Sequence, residues 1–260
     1  MPTFTKKIVL LSLTVIITMA FGAIDGNEIM KMVDERPDGD NSKSTMTMIL
    51  INKRDQQRVR QIVTYSIDTE EGSKSLIYFT EPADVAGTAF LSWEYDDKNK
   101  DDQQWLYLPA LKKARRISGS SENDYFMGSD FTYDDMGERS IDEDFHKLLK
   151  EENIDGSKCW VIESIPKDPD YMYSKRISWI RQDALISIRS EFYDPKGELL
   201  KTLLTHKIQK KDGFWTAYSM EMIHNQNNHR TKIETNDIEY NIEMDENMFS
   251  VSNLQRFRIR

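Results

Sequence analysis

The sequence is almost free of cysteine, since Cys159 is the only one among its 260 residues. A single cysteine excludes an internal disulfide bond, so the fold must be stabilised by packing. Cys159 is followed by Trp160-Val161-Ile162 in a strand-like run, where a thiol usually serves as a small buried apolar group. The sequence therefore predicts a buried cysteine without a role in catalysis.

Histidine is also scarce, and catalytic motifs are absent. No histidine pair has the H-E-x-x-H spacing that places two zinc ligands on one helix face. The four histidines are predicted to be ordinary surface or strand residues: His146, His206, His224 and His229. The sequence contains no Gly-rich phosphate loop, no G-x-S-x-G nucleophile elbow and no dinucleotide fingerprint. We therefore predict a protein that is not an enzyme and uses no metal or cofactor.

An extended apolar run occurs only near the N-terminus. Lys6 and Lys7 precede an uncharged stretch over residues 8–22, the pattern of a signal peptide, which predicts that residues 1–23 are cleaved. An uncleaved anchor helix is the alternative, but the run is shorter than the roughly 20 apolar residues that span a bilayer. The pattern predicts export across the cytoplasmic membrane, with residues 24–260 forming a single domain.

Positive charge is in the minority, with 35 Lys and Arg against 44 Asp and Glu. Residues 1–23 contain two lysines and no acidic residue, so their removal takes the formal net charge from -9 to -11. This balance disfavours a general affinity for nucleic acid. One dense basic cluster is predicted to contact an anionic headgroup or an acidic patch on a partner: Lys112, Lys113, Arg115 and Arg116. The alternative is solvated charge that protects the edge of a sheet.

Strand patterning occupies most of the remaining sequence. Alternating apolar and β-branched runs predict strands at 45–51, 58–67, 74–80, 88–95, 104–108, 114–118, 159–165, 174–181, 186–193, 199–210, 214–224 and 230–240. The Asp-Pro-Lys-Gly and Lys-Asp-Gly sequences at 194–197 and 211–213 are strong hairpin signals. A short amphipathic helix is predicted over 25–36. The pattern is that of an antiparallel meander.

One segment interrupts this meander. Residues 120–152 alternate weakly and are rich in acidic side chains, and 142–152 has a helical pattern. We predict that the segment crosses one face or one mouth of the sheet. Five of its side chains are predicted to form an apolar gate, with a rigid plug as the alternative: Phe126, Met127, Phe131, Tyr133 and Met136.

The apolar side chains are unusually flexible or aromatic, with 13 Met, 5 Trp, 11 Tyr and 11 Phe. A strongly curved antiparallel sheet can line a concave cavity with such side chains while a helix closes the opening. Trp93 and Trp105 lie in adjacent predicted strands and, with Tyr107, are predicted to face this cavity. Ordinary core packing is the alternative for these three residues. A cavity of this kind would suit acyl chains.

Three blocks make the chain recognisable. The sequences at 79–91 (FTEPADVAGTAFL), 104–117 (QWLYLPALKKARRI) and 126–136 (FMGSDFTYDDM) resemble the outer-membrane lipoprotein-sorting protein family, relatives of the periplasmic lipoprotein carrier LolA. The sequences at 173–177 and 193–198 fit the same pattern, so the resemblance covers essentially the whole mature chain. It implies a LolA/LolB-like fold: an incomplete, half-open antiparallel β-barrel around a hydrophobic cavity, with a few helices as a lid or plug. It also implies the periplasm of a Gram-negative bacterium.

Three functions follow from these observations. The first is a carrier that binds the acyl chains of a lipid or lipoprotein, makes transient membrane contact, and passes its cargo between the inner and outer membranes. The resemblance adds an inner-membrane transporter of the resistance-nodulation-division (RND) type as a partner. The second is a non-transporting module that senses lipoproteins or a transporter domain. The third, an enzyme acting on lipid or glycan, is the weakest because no motif supplies a nucleophile with a base.

Overall fold

The computed structural model describes residues 24–97 and 99–254. The predicted signal peptide at residues 1–23 lies outside the described residues. Within the described ranges, no helix is both long and apolar enough to span a membrane.

Thirteen strands form one antiparallel sheet in the described chain, and every strand predicted from the sequence is present. In chain order the elements are α1 (Gly26–Asp34), β1 (Asn41–Ile51), β2 (Gln57–Thr69), β3 (Gly72–Glu81), β4 (Ala89–Tyr95), β5 (Gln103–Leu108), β6 (Lys113–Ile117), β7 (Asp144–Ile154), β8 (Ser157–Pro166), β9 (Lys175–Arg181), β10 (Ile186–Tyr193), β11 (Leu199–Lys211), β12 (Phe214–His224), β13 (His229–Tyr240) and α2 (Val251–Leu254). The spatial order is β6-β5-β4-β3-β2-β1-β13-β12-β11-β10-β9-β8-β7. The first and last strands of the meander, β1 and β13, therefore meet in the middle of the sheet, where Met48 lies opposite Ile233.

The sheet is curled but not closed. Gln104 of β5 donates to the carbonyl oxygen of Tyr133, and Lys201 of β11 bonds to Asp135, only two residues further along the chain. In a flat sheet β5 and β11 would be more than about 30 Å apart, because neighbouring strands are about 4.8 Å apart. The sheet must therefore curl around this segment. Among the described residues the edge strands β6 and β7 do not pair with each other, which confirms the predicted half-open barrel.

Residues 118–143, which we call the plug, connect the two edge strands and lie on the concave face. They form four 3₁₀ turns and an isolated bridge between Tyr125 and Thr132. The turn at Phe126–Gly128 has two consecutive residues in the left-handed region, Met127 (φ 49°) and Gly128 (φ 73°). This sharp reversal returns the chain to the same face of the sheet, as the prediction of a segment crossing the sheet requires.

The predicted N-terminal helix is confirmed and packs on the β8 and β9 end of the sheet. Asp25 caps α1 by accepting from the backbone N–H groups of Asn27 and Glu28, and Glu28 bonds back to the Asp25 N–H, which forms a capping box. Ile29 is completely buried against Ile162 and Ile180. The helix thus covers apolar surface on β8 and β9.

The helical prediction for residues 142–152 is wrong, because this stretch forms β7. Asp144, His146 and Leu148 point to the covered face, and Arg139 and Ser164 hold the first two by hydrogen bonds. An inward face built from Asp, His and Leu does not show the apolar alternation by which strands are recognised. The remaining Lys and Glu residues suit an edge strand, where charge prevents pairing with another chain.

A second apolar cluster lies on the convex face of β3, β4 and β5. Leu76 and Leu91 pack there against Phe249 and Leu254 from the C-terminal segment, and all four are buried. The indole Nε1 of Trp93 donates to the carbonyl oxygen of Phe249 at 2.7 Å. The C-terminal segment therefore covers this half of the convex face.

Candidate functional site

The concave face carries the largest apolar cluster of the described chain, and the plug fills much of it. Phe126 is completely buried, and its ring centroid lies 5.9 Å from that of Phe79, 5.3 Å from Phe90 and 5.5 Å from Tyr133. The buried residues of the cluster come from both halves of the sheet and from the plug: Met48, Leu50, Ile62, Ile77, Phe79, Val85, Phe90, Leu106, Ile117, Phe126, Phe131, Tyr133, Tyr173, Phe192, Met222 and Ile233. The plug is thus packed like a core element.

Polar side chains of the sheet hold the plug at the β13 side. The buried Asp130 carboxylate accepts from Nδ1 of His229 at 2.7 Å and from the hydroxyl of Thr231 at 2.7 Å. The Asp130 backbone N–H donates to the same Thr231 oxygen at 3.0 Å. Arg60 of β2 donates to the carbonyl oxygen of Met127 at 2.7 Å. These bonds fix the backbone of the plug relative to the middle of the sheet.

A buried lysine holds the plug at the β11 side. The Lys201 side chain is fully buried, and its ammonium lies 2.6 Å from the Asp135 carboxylate and 3.2 Å from the carbonyl oxygen of Asp130. Tyr173 donates its hydroxyl to the other Asp135 oxygen at 2.9 Å, and the ammonium sits 5.0 Å from the centre of the Tyr173 ring. The charge of Lys201 is therefore compensated on the concave face by a carboxylate and an aromatic ring.

Beside the plug lies a hollow of about 230 Å³, which we call the inner hollow. Its apolar side chains include Phe131, Phe192, Leu203 and Met222, and its polar wall is formed by Asp134, Asp135, Arg139, Asp144, Tyr171, Tyr173, Lys175 and Arg176. Burial raises the pKa of the Asp134 carboxyl, and burial and the neighbouring Asp134 charge raise that of the Tyr171 hydroxyl that donates to it. The neutral Tyr171 is therefore the donor at neutral pH.

A larger cleft of about 470 Å³, which we call the rim cleft, opens where the β1–β2 and β12–β13 turns meet the plug. It is lined by Asn52, Lys53, Arg54, Gln56, Tyr125, Gly128, Ser129, Asp130, His224, Asn227 and His229. Nε2 of His224 lies 2.8 Å from the Tyr125 hydroxyl and 3.0 Å from the Asn227 amide nitrogen. Because the Asn227 amide nitrogen can only donate, Nε2 is the acceptor of a neutral imidazole, and the Tyr125 hydroxyl then donates to it as well.

Acidification is expected to loosen the plug through His224. Burial lowers the pKa of this imidazole, so the folded protein binds the proton less tightly than the unfolded chain, in which histidine titrates near pH 6.5. The stability that His224 contributes is therefore present above about pH 6.5 and is lost as the pH falls below it. We expect a loss of about 1 kcal/mol, comparable to one hydrogen bond, in urea unfolding at about pH 5.

Two glutamine variants test this pH effect, His224→Gln as the test and His206→Gln as the matched control. His224→Gln should lose less stability on acidification than the unsubstituted protein, because its amide does not titrate. His206→Gln, at an exposed position on β11, should lose as much as the unsubstituted protein. An equal loss in all three proteins would show that His224 does not respond to pH in this way.

The predicted site residues fall into two groups on opposite faces of the sheet. The five plug residues lie in or against the concave cluster: Phe126, Met127, Phe131, Tyr133 and Met136. Trp93, Trp105 and Tyr107 instead pack in the convex cluster, because alternation places them opposite to Phe90 and Leu106. The two indole rings are in contact, with centroids 4.7 Å apart. The structure does not bring these three together with the plug, and core packing, the alternative, describes them.

The basic cluster lies at the β5–β6 turn and along the edge strand β6. Lys112 is in the turn with φ 50°, and Lys113, Arg115 and Arg116 belong to β6. The preceding residue in the turn, Leu111, is 65% exposed. This position suits contact with another surface, and it also suits protection of a sheet edge.

The side chains that anchor the plug were not identified from the sequence. Asp130, Lys201, His224, His229 and Thr231 come from three regions that are distant in sequence, and only Asp130 lies in one of the recognised blocks, at 126–136. Among the other four, a signal existed only for Lys201, which occupies an inward position of the apolar run at 199–204 (LLKTLL). Cys159 is buried as predicted, and burial raises the pKa of its thiol, which disfavours the reactive thiolate. Among the described residues, no group of three or more His, Cys, Asp or Glu could hold a metal ion.

An unclosed, curled antiparallel sheet with an apolar concave face defines a protein with the LolA-like fold. A crystal structure of a LolA superfamily protein from Nitrosomonas europaea has this fold: the TM-score is 0.68 at 19% identity, over 88% of this chain and 98% of that chain. The chain belongs to the outer membrane lipoprotein-sorting protein family. This is shown by an outer membrane lipoprotein-sorting protein domain from Vibrio parahaemolyticus, which is 36% identical over 89% of this chain and 98% of that chain, with a TM-score of 0.83.

Other comparisons agree with this membership. A DUF1329 family protein from Desulfovibrio piger is 33% identical over 88% of this chain and 97% of that chain, with a TM-score of 0.84. A family model described as an uncharacterized protein matches residues 71–256. None of the curated proteins matches the sequence. Lipoprotein sorting is a carrier role, so membership of this family confirms the prediction that the chain is not an enzyme.

Proposed function

We propose that this protein is a periplasmic carrier that binds the acyl chains of a lipid or lipoprotein on its concave face and passes them between the inner and outer membranes. The observation that carries the proposal is the plugged concave cluster, whose apolar residues come from both halves of an unclosed sheet. An acyl chain placed there gains about 0.8 kcal/mol per CH₂, which is on the order of 10 kcal/mol for a long chain. This transfer supplies affinity without covalent chemistry.

The plug is the part of the site that must move. The inner hollow of about 230 Å³ is smaller than ordinary ligand pockets, which have volumes of roughly 300–1,000 Å³. A long chain therefore enters only if side chains such as Phe126 and Phe131 leave the concave cluster. The polar anchors at Asp130 and Asp135 hold the closed state, and their release opens the face to cargo. In this proposal the plug acts as a gate.

The carrier is expected to co-purify with acyl lipid. Organic extraction and mass spectrometry of protein prepared gently from the periplasm should recover lipid in near-stoichiometric amounts. Leu203→Trp places a larger ring in the inner hollow and should reduce the recovered lipid several-fold, since overpacking excludes the chain. Leu204→Trp, the next residue and on the opposite face of β11, is the matched control and should retain it. Consistently empty protein would contradict cargo binding.

The proposed location is the periplasm, and the proposed partners are an inner-membrane transporter and the membrane surface. Cleavage of residues 1–23 would deliver residues 24–260 to the periplasm as one domain, with an RND-type inner-membrane transporter as the donor or acceptor of cargo. The basic cluster from Lys112 to Arg116 is placed, with the exposed Leu111, to contact an acidic partner surface or anionic headgroups during transient membrane contact.

The dense anchoring of the plug favours a second candidate, a sensor that recognises lipoproteins or a transporter domain without carrying cargo. Its interior would stay filled, as the buried Phe126 and Lys201 are here. Crosslinking in the periplasm should then capture one protein partner in similar yield from the unsubstituted protein and from Leu203→Trp. Loss of the crosslinked partner in that variant would favour the carrier.

A further inference from the structure

The rim cleft combines positive charge with an unusual shortage of available carboxylate. Lys53 and Arg54 line it, and neither forms an ion pair with any described residue. The one carboxylate in the lining, Asp130, already accepts from His229 and Thr231. The cleft is therefore locally cationic on a chain with a formal net charge of -9.

Two imidazoles add hydrogen-bonding capacity to this cleft. His229 uses Nδ1 to bond Asp130, which orients the ring and leaves Nε2 as the nitrogen free for a ligand. His224 is 5% exposed, and its Nδ1 has no hydrogen-bond partner within the described ranges. A buried polar atom without a partner is uncommon, and in a cleft it is a mark of a binding site. Gln56 and Asn227 supply further amide groups to the lining.

The rim cleft and the concave cluster share the plug as a common wall. Tyr125, Gly128, Ser129 and Asp130 line the cleft, and they belong to the same plug whose Phe126 and Phe131 fill the concave cluster. A molecule with a charged group in the cleft would thus place its attached chain beside the plug. This is the arrangement that an amphipathic lipid requires, with the charge at the rim and the hydrocarbon inside.

We infer that the rim cleft binds a phosphate-type anion, as carried by the headgroup of an anionic phospholipid, through Lys53, Arg54 and the unpartnered Nδ1–H of His224, while Nε2 of His229 can accept from a headgroup hydroxyl. The inference deepens the proposed function by naming the headgroup class of the cargo, and to that extent it rests on it. Pairing of an anion with the guanidinium and ammonium groups is charge-assisted and stronger than neutral hydrogen bonding.

The test is a titration of the full mature chain, followed by the ¹⁵N signals of the histidine side chains. Inorganic phosphate, glycerol 3-phosphate and short-chain phosphatidylglycerol below its micelle concentration are added separately, with short-chain phosphatidylcholine as a zwitterionic comparison. We expect saturable shifts of the His224 and His229 signals with phosphatidylglycerol. Lys53→Gln/Arg54→Gln, at two exposed turn positions, should weaken this binding by roughly tenfold or more. Lys158→Gln/Lys196→Gln removes two exposed lysines outside the cleft and should leave it unchanged.

The outcomes separate the sources of the anion and the two proposals. Shifts with phosphatidylglycerol alone assign a lipid headgroup, and shifts with inorganic phosphate as well assign a general phosphate site. No saturable shift with any of the three anions, or equal weakening in both double variants, would overturn the site. Recovery of acyl lipid by extraction is measured on the same preparations, so failure of the anion site with lipid still present leaves the carrier intact. Absence of lipid with an intact anion site would refute the carrier alone.

Discussion

Replacing Lys201 by alanine is expected to lower the free energy of unfolding by about 3–5 kcal/mol, one of the two largest effects that we predict. The substitution leaves the buried Asp135 carboxylate without its cation, although Tyr173 and the backbone N–H of Thr132 still donate to it. A buried charge that loses its partner keeps its desolvation penalty and loses the compensating attraction. Urea unfolding, followed by tryptophan fluorescence and far-UV circular dichroism, measures the change.

Two further variants identify the cause of that loss. Lys201→Met/Asp135→Asn removes both charges and should recover most of the stability, because an apolar side chain of similar length replaces the buried ammonium. Lys158→Ala, at an exposed position on β8, should change the stability by no more than about 0.5 kcal/mol. A loss below about 1 kcal/mol in Lys201→Ala would mean that the ion pair does not hold the plug.

Replacing Phe126 by alanine is expected to cost about 3–5 kcal/mol, because its completely buried ring packs against Phe79, Phe90 and Tyr133. The same change leaves a cavity at the centre of the concave cluster. If the plug excludes cargo, the variant should bind a fluorescent fatty-acid probe more tightly than the unsubstituted protein at temperatures where both are folded. The variant should therefore be less stable than the unsubstituted protein and bind the probe more tightly.

The control for Phe126→Ala is Leu111→Ala, which removes an apolar side chain that is 65% exposed and should cost little. Its probe affinity should match that of the unsubstituted protein, since Leu111 lies at the β5–β6 turn outside the cluster. Weaker probe binding by Phe126→Ala would show that the plug ring forms part of the binding surface instead of closing it. In that case Phe126 contacts the cargo directly.

The sequence predicted every strand of the sheet except β7. A strand such as β13 is recognisable because the buried Thr231 and Ile233 alternate with the less buried Lys232 and Glu234. In β7 the inward positions are Asp144, His146 and Leu148, and the apolar signal is lost. The polar pair is buried only because Arg139 of the plug and Ser164 of β8 supply partners. That compensation depends on tertiary contacts that no local pattern encodes.

The residues of the candidate site were also predicted only in part. Its aromatic plug residues were identified, because a Gly- and Asp-rich segment with Phe and Tyr stands out from the surrounding strands. Trp93 and Trp105 were equally conspicuous, yet they lie on the convex face beneath the C-terminal segment. Alternation assigns adjacent residues of a strand to opposite faces, but it does not say which face is concave.

The sequence by itself determined the antiparallel meander, the absence of a disulfide, the family and the existence of a segment that crosses the sheet. Only the tertiary structure decided which side chains hold that segment and where the clefts open. The reason is distance along the chain: Asp130 meets Thr231 across 101 residues, and Lys201 meets Asp135 across 66. Local patterns fix hydrogen-bonded strands, whereas the convergence of isolated polar residues depends on how the whole sheet curls.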